Sequence, residues 1–133
     1  MPLRSIANST AALAALVLSG PAAAHHSYAQ FDPCTRVTIE GEIERLSWAN
    51  PHIVMTVNAG DAGTFRVEWF DLFRLRRQGL STEVLKEGDR VVISGARHRD
   101  PDIMVMTLLS EVRPVNGSWN WSQSRGRPAN CDE

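Results

Sequence analysis

Several features that would place this sequence in a functional class are missing from it. There is no basic excess, because 14 Lys and Arg residues face 15 Asp and Glu residues, for a net charge of −1. Nucleic-acid binding depends on a basic surface, so this balance argues against it. There is also no Gly-x-Ser-x-Gly, phosphate-binding glycine loop or His-Glu-x-x-His sequence, and no common catalytic motif therefore points to an enzyme.

The chain also lacks a hydrophobic stretch long enough to cross a membrane. The apolar block Ala11–Leu18 has about half of the roughly 20 residues that a membrane-spanning helix needs. Arg4 precedes the block, and a Ser-Gly-Pro break followed by three alanines ends it, which is the order of a cleavable signal peptide. We expect residues 1–24 to be removed; a retained anchor is the alternative.

The cleavage site decides which group opens the mature chain. Cleavage after Ala24 puts Ala22 and Ala24 at the two small-residue positions, whereas cleavage after Ala23 puts Pro21 at one of them. The first cut is favoured and leaves His25 as the new amino terminus. Either product works outside the cytoplasm, so the expected location is periplasmic or secreted, with no membrane span after cleavage.

Only two cysteines are present, Cys34 near the mature start and Cys131 near its end. Disulfides form and persist in exported proteins, so we predict a Cys34–Cys131 disulfide. Such a bond closes most of the mature chain into a ring. The alternative is that the two thiolates are soft metal ligands.

Alternating hydrophobicity predicts a small β-protein. Five strands are expected, at residues 37–48, 53–57, 64–69, 90–96 and 103–112. The phase of the alternation changes near Glu44 and Arg45, which predicts a bulge in a long, bent first strand.

A helical segment separates the third and fourth strands. Asp71 is a typical helix cap and Gly79 a typical terminator, and Ser81–Lys86 is expected to form a further helical turn. The order β-β-β-α-β-β is that of the OB-fold, a small five-stranded barrel; an open β-sandwich is the alternative. The barrel then covers residues 25–113, and 114–133 is predicted to be an irregular tail.

Histidines are the best candidates for chemistry. His25 and His26 open the mature chain, and His52 opens the second strand. The free α-amine and the imidazole of His25 can chelate one ion, and His26 or His52 would add a further nitrogen; such tetragonal, nitrogen-rich sites suit Cu(II). Protons compete with the metal for the amine, which exists only after cleavage. The alternative is a solvated chain end, with His52 hydrogen-bonded across its turn.

Three other groups have simpler explanations. His98 lies between two arginines, which disfavour metal capture. Met104 and Met106 share one strand face, where methionines fill a core more often than they bind Cu(I). Trp119 and Trp121 in the tail either stack on a ligand or dock back on the barrel, and docking is favoured.

Two runs of like charge are expected to be solvated faces. They are the acidic row Glu40, Glu42 and Glu44 on the first strand, and the basic cluster Arg74, Arg76 and Arg77 on the helix. A contribution to solubility explains both runs.

Taken together, His25-His26-Ser27-Tyr28, Phe31-Asp32 and Trp48-Ala49-Asn50-Pro51-His52 resemble a family of small exported bacterial domains of unknown function. The recurring pattern is His-His-Ser-aromatic followed by Trp-x-Asn-Pro-His, and the resemblance covers roughly residues 25 to 110. It brings no established activity. It implies that a single functional set contains His25, His26, Asn50, Pro51 and His52. The cysteines and the tryptophan-containing tail depart from the pattern.

The leading hypothesis is a monomeric, non-enzymatic periplasmic protein that carries, buffers or senses a metal, with copper as the expected cofactor. Its ligands would be His25, His26 and His52. A looser similarity, in chemistry alone, is to periplasmic copper carriers and copper oxygenases with an N-terminal histidine. The alternative is a non-metal OB-like module that binds a small molecule or an envelope protein, and a hydrolytic or oxidative enzyme is the third hypothesis.

The intact mass of protein recovered from the periplasm tests the processing predictions. We expect the mass of residues 25–133, with two hydrogen atoms fewer than in the same sample after reduction. The reduced sample is the internal control. A mass that still includes residues 1–24, or one that reduction leaves unchanged, would contradict the predicted cleavage or the predicted disulfide.

Overall fold

Six strands and one short helix make up the part of the chain that the computed structural model describes, which is residues 28–123 and Cys131. A 3-10 turn at Tyr28–Gln30 leads into the first strand. The elements that follow are β1 (Phe31–Ser47), β2 (Val54–Asn58), β3 (Thr64–Glu68), α1 (Leu72–Arg77), β4 (Arg90–His98), β5 (Val105–Pro114) and β6 (Trp121–Ser122). The segment with the predicted signal peptide, His25 and His26 lies outside the described residues.

Five of the strands close into a barrel. The hydrogen-bonded order is β3-β2-β1-β4-β5-β6, with antiparallel neighbours throughout. Closure comes from a short parallel pairing of β3 with β5, in which the Arg66 amide donates to the Met104 carbonyl at 2.9 Å. The predicted fold class is confirmed: the strand order, with the helix between the third and fourth strands, is that of the OB-fold.

The long first strand serves both halves of the barrel because it bends. Its register with β2 shifts between Ile43 and Arg45, so the predicted bulge is confirmed at Glu44. Gly41 lies inside the bend, and a Cβ there would collide with the Asn58 carbonyl. The close approach of β2 to β1 therefore requires a residue without a side chain.

The inner faces of the strands make one hydrophobic core. Ile39 and Ile43 of β1 are buried together with Met55, Phe65 and Met106, as the strand alternation predicts. Met106 therefore fills the core, and Met104 lies partly buried at its edge, where its sulfur accepts a hydrogen bond from Arg97.

The predicted helix at Leu72 is confirmed, but the further helical turn at Ser81–Lys86 was wrong. Asp71 caps α1, accepting a hydrogen bond from the Arg74 amide at 2.8 Å. Residues 81–86 instead form turns, because their amide hydrogens bond to side chains: Glu83 to the Ser81 hydroxyl and Lys86 to the Asp89 carboxylate. The turns leave Leu85 buried in the core.

The carboxyl-terminal segment is tied to the barrel at two points. Trp121–Ser122, within the stretch expected to be irregular, forms β6 and pairs with β5. The Cys34–Cys131 disulfide is present, with its Cα atoms 5.3 Å apart. The segment from Pro114 onward is thus anchored both at β5 and at β1.

Replacing both cysteines with serine should destabilise the domain. The bond joins positions 97 residues apart, and a loop of that length corresponds to about 4–5 kcal/mol of lost chain entropy in the unfolded state. We expect a decrease of that order in the unfolding free energy, measured by urea titration. A change below about 1 kcal/mol would contradict a stabilising role for the bond.

Candidate functional site

A cavity of about 640 Å³ opens beside α1. Its walls come from five parts of the chain. Tyr28 precedes β1, His52 precedes β2, residues 68–71 lead from β3 to the helix, and Thr107–Leu109 belong to β5. The exposed face of α1 completes it.

The Trp48–His52 segment places His52 in this wall. The Asn50–Pro51 peptide bond is cis, and the chain then runs beside the β3–α1 junction. There the Ile53 amide donates to the Phe70 carbonyl at 3.2 Å, and the Trp69 amide donates to the Ile53 carbonyl at 2.8 Å. His52 directly precedes Ile53, is half-buried and lines the cavity.

Asn50 has a structural role at the same corner. Its side-chain oxygen accepts a hydrogen bond from the Leu72 amide at 3.2 Å. Leu72 is the first residue of α1, whose first amides have no partner within the helix. Asn50 and Asp71 therefore cap the helix together, from two different parts of the chain.

Two aromatic residues of the cavity wall, Trp69 and Phe70, belong to a cluster that Trp121 completes from outside the cavity. The rings of Trp69, Phe70 and Trp121 pack with centroids 5.0–5.4 Å apart. The Trp121 indole N–H donates to the Gln78 side chain, just after the helix. Trp121 is thus docked in the core, in agreement with the favoured interpretation, and Trp119 packs partly buried against the same core.

Two arginines on α1 form the polar wall. The guanidinium of Arg74 lies 5.6 Å from the centre of the Phe70 ring, and that of Arg77 lies 5.6 Å from the Phe73 ring. Both contacts are of the cation–π type, which orients each side chain. Within residues 28–123, neither arginine forms an ion pair.

The two carboxylates of the cavity are already engaged. Glu68 pairs with Arg66 at 3.0 Å. Asp71 accepts the Arg74 amide, and this hydrogen bond, together with the charge of Arg74, lowers the pKa of Asp71 below its usual value. Asp71 is therefore charged at neutral pH.

Leu108 adds a strained backbone to the wall. Its φ of 50° lies in the left-handed region, where leucine is rare. The strain arises because three residues of β5, 108–110, stand opposite Gly95 alone on β4. A Cβ on Gly95 would meet the Thr107 carbonyl at 2.7 Å, so the bulge fits only against glycine.

The predicted metal ligands are thus only partly located. His52 lies in the cavity wall, whereas His25 and His26 lie outside the described residues. His98 is elsewhere, with its ring against Phe31 and its Nδ1 accepting the Asp100 amide at 3.0 Å. Within residues 28–123 and Cys131, no three His, Cys, Asp or Glu side chains gather in a way that would hold a metal ion.

The arginines, Phe73 and Leu108 are cavity residues that the sequence interpretation missed. Arg74 and Arg77 were assigned to a solvated face. For Arg77 the signal was present in the spacing, because Phe73 and Arg77 are four residues apart, the separation that brings side chains together on a helix. No comparable signal marks Leu108, whose conformation depends on pairing with β4.

A family model matches residues 13–106, which is more than half of the chain and includes every wall of the cavity except Thr107–Leu109. The chain belongs to DUF6152, a family of unknown function. The expectation of a family of unknown function is therefore confirmed. No curated protein matches the chain.

Solved structures similar to this DUF6152 chain are distant. They include the S. pombe Stn1–Ten1 complex (TM-score 0.46, 17% identity, 60% of this chain and 57% of that one) and the S. cerevisiae mitochondrial single-stranded DNA-binding protein Rim1 (0.44, 11%, 61% and 94%). A third is a mutant of TiaS in complex with agmatine (0.45, 14%, 70% and 23%). The chain thus spans under two thirds of the Stn1–Ten1 and TiaS chains. Within the described ranges of DUF6152, no helix is long and apolar enough to span a membrane.

Asn50→Ala tests the double cap of α1 in this DUF6152 domain. We expect a loss of about 1 kcal/mol in unfolding free energy, because the Leu72 amide loses its acceptor. Asn50→Asp is the matched control, since it keeps an acceptor oxygen and should remain close to wild type. Equal losses in both variants, measured by urea titration, would show that the hydrogen bond does not stabilise the corner.

Proposed function

We propose that the processed protein binds a transition-metal ion, Cu(II) in the first instance, through its mature amino terminus, His25 and His52, with His26 as a further ligand. Its role is to carry, buffer or sense the metal in the periplasm or after secretion. The location draws support from the Cys34–Cys131 disulfide, which is typical of an oxidising compartment.

One observation carries the proposal: Tyr28 and His52 line the same cavity. They are 24 positions apart in the sequence, and the predicted ligands His25 and His26 lie three and two positions before Tyr28. A chain extends at most about 3.6 Å per residue, so the Cα of His26 lies within about 7 Å of the Tyr28 Cα, and that of His25 within about 11 Å. This short separation along the chain supports a site shared by the amino terminus and His52.

The chemistry of the donor set favours copper. An α-amine and imidazole nitrogens are borderline ligands that suit Cu(II) in a tetragonal arrangement. His52 is the only histidine of the described residues in the cavity wall, so the proposal takes its other nitrogens from the amino terminus.

Copper titration of the processed protein tests the proposal. We expect His52→Ala to weaken Cu(II) binding at least about tenfold, since loss of a direct ligand should cost no less than loss of a supporting one. Affinity is measured by calorimetry against a competing chelator. His98→Ala is the matched control, because His98 lies outside the cavity, and it should bind as wild type does.

Two further samples distinguish a specific metal site from a solvated chain end that binds copper weakly. Acetylating the amino terminus of the processed protein removes the amine and should also weaken binding at least about tenfold. Wild-type affinity no greater than that of the His25→Ala/His52→Ala double variant would eliminate the proposal. Thermal unfolding of each variant shows whether the fold is retained.

A further inference from the structure

We infer that the same cavity accepts a planar aromatic monocarboxylate, held at its carboxylate by Arg74 and Arg77 and at its ring by Phe73 and Tyr28. This site uses residues other than the proposed metal ligands. It does not depend on the metal proposal, and each can fail without the other.

The arginines are the first reason. Arg74 and Arg77 are three residues apart on α1, so they project from neighbouring positions of one helix face. Neither arginine lies within ion-pair distance of a carboxylate in residues 28–123, and two like charges on one helix face repel each other unless an anion neutralises them. A carboxylate matches the planar fork of each arginine.

The charge balance of the cavity indicates a ligand with a single negative charge. The charge of Glu68 is matched by Arg66. That leaves Asp71 against Arg74 and Arg77, an excess of one positive charge among these three side chains. A monoanion neutralises this excess, whereas a doubly charged phosphate group would overcompensate it and meet Asp71.

The exposed rings indicate an aromatic body. Phe73 is 68% exposed and Tyr28 is 49% exposed, although both line a cavity. When a ligand ring covers exposed aromatic rings around a cavity, apolar surface is removed from water, which favours binding. A volume of about 640 Å³ lies well within the range of small-molecule sites.

Two further features of the wall are typical of a binding site. Trp69 is 3% exposed, and its indole N–H is buried without a hydrogen-bond partner among the described residues. Such a donor is rare in a finished core and is satisfied when a ligand or its bound water supplies an acceptor. The left-handed backbone of Leu108 lies in the same wall, and strain of this kind is concentrated at ligand-contacting positions.

Calorimetry with a charged and a neutral probe of the same shape tests the inference. The probes are 2-naphthoate and 2-naphthamide, added to the processed protein in the presence of EDTA. We expect 2-naphthoate to bind with one site per chain and at least about tenfold more tightly than 2-naphthamide. Higher salt should reduce the difference, because the arginines are exposed.

The variant Arg74→Gln/Arg77→Gln should abolish the preference for 2-naphthoate and leave 2-naphthamide binding unchanged. Arg45→Gln/Arg90→Gln removes the same charge from residues outside the cavity and should keep the preference. Phe73→Ala should weaken both probes alike. All of these side chains are exposed, so the fold should survive, which thermal unfolding checks.

Equal affinity for the two probes, or absence of saturable 2-naphthoate binding, would overturn the inference. An equal loss in both double-arginine variants would do so as well, because it would show that general charge attracts the anion. Loss of copper binding in His52→Ala with intact 2-naphthoate binding would support both proposals as separate properties of the cavity.

Discussion

The structure depends on the junction between the Asn50–Pro51 corner and the start of α1. Backbone hydrogen bonds join Ile53 to Trp69 and Phe70, and the Asn50 side chain caps Leu72. These contacts hold the segment that precedes β2 against the segment that follows β3. The helix, the aromatic wall and His52 all take their positions from this one junction, so the cavity exists because two distant loops share their hydrogen bonds.

The cavity has two chemically different sets of residues. One contains His52 and Tyr28, and it is the set that the proposed metal site would use. The other contains Arg74 and Arg77, each stacked on a phenylalanine, and it suits an anion. The two proposals can therefore be tested separately, and neither requires the other.

The fold was predictable because it is encoded in local periodicity. The alternation around Ile39 and Ile43 and the phase change near Glu44 were enough to place a bent strand with a bulge. The turn at residues 81–86 was missed because side-chain hydrogen bonds from Ser81 and Asp89 replace the helical ones.

The site was less predictable, because the contacts that form its wall join distant segments. His52 was singled out by its motif, yet the sequence could not show that Arg74 and Arg77 share a wall with it or that Leu108 is strained there. Pulsed electron paramagnetic resonance of the Cu(II)-loaded, processed protein tests the central claim most directly, because it counts the imidazoles bound to the metal. We expect one imidazole fewer in His52→Ala than in wild type. An unchanged count would contradict the account, since His52 would then not share a metal ion with the amino terminus.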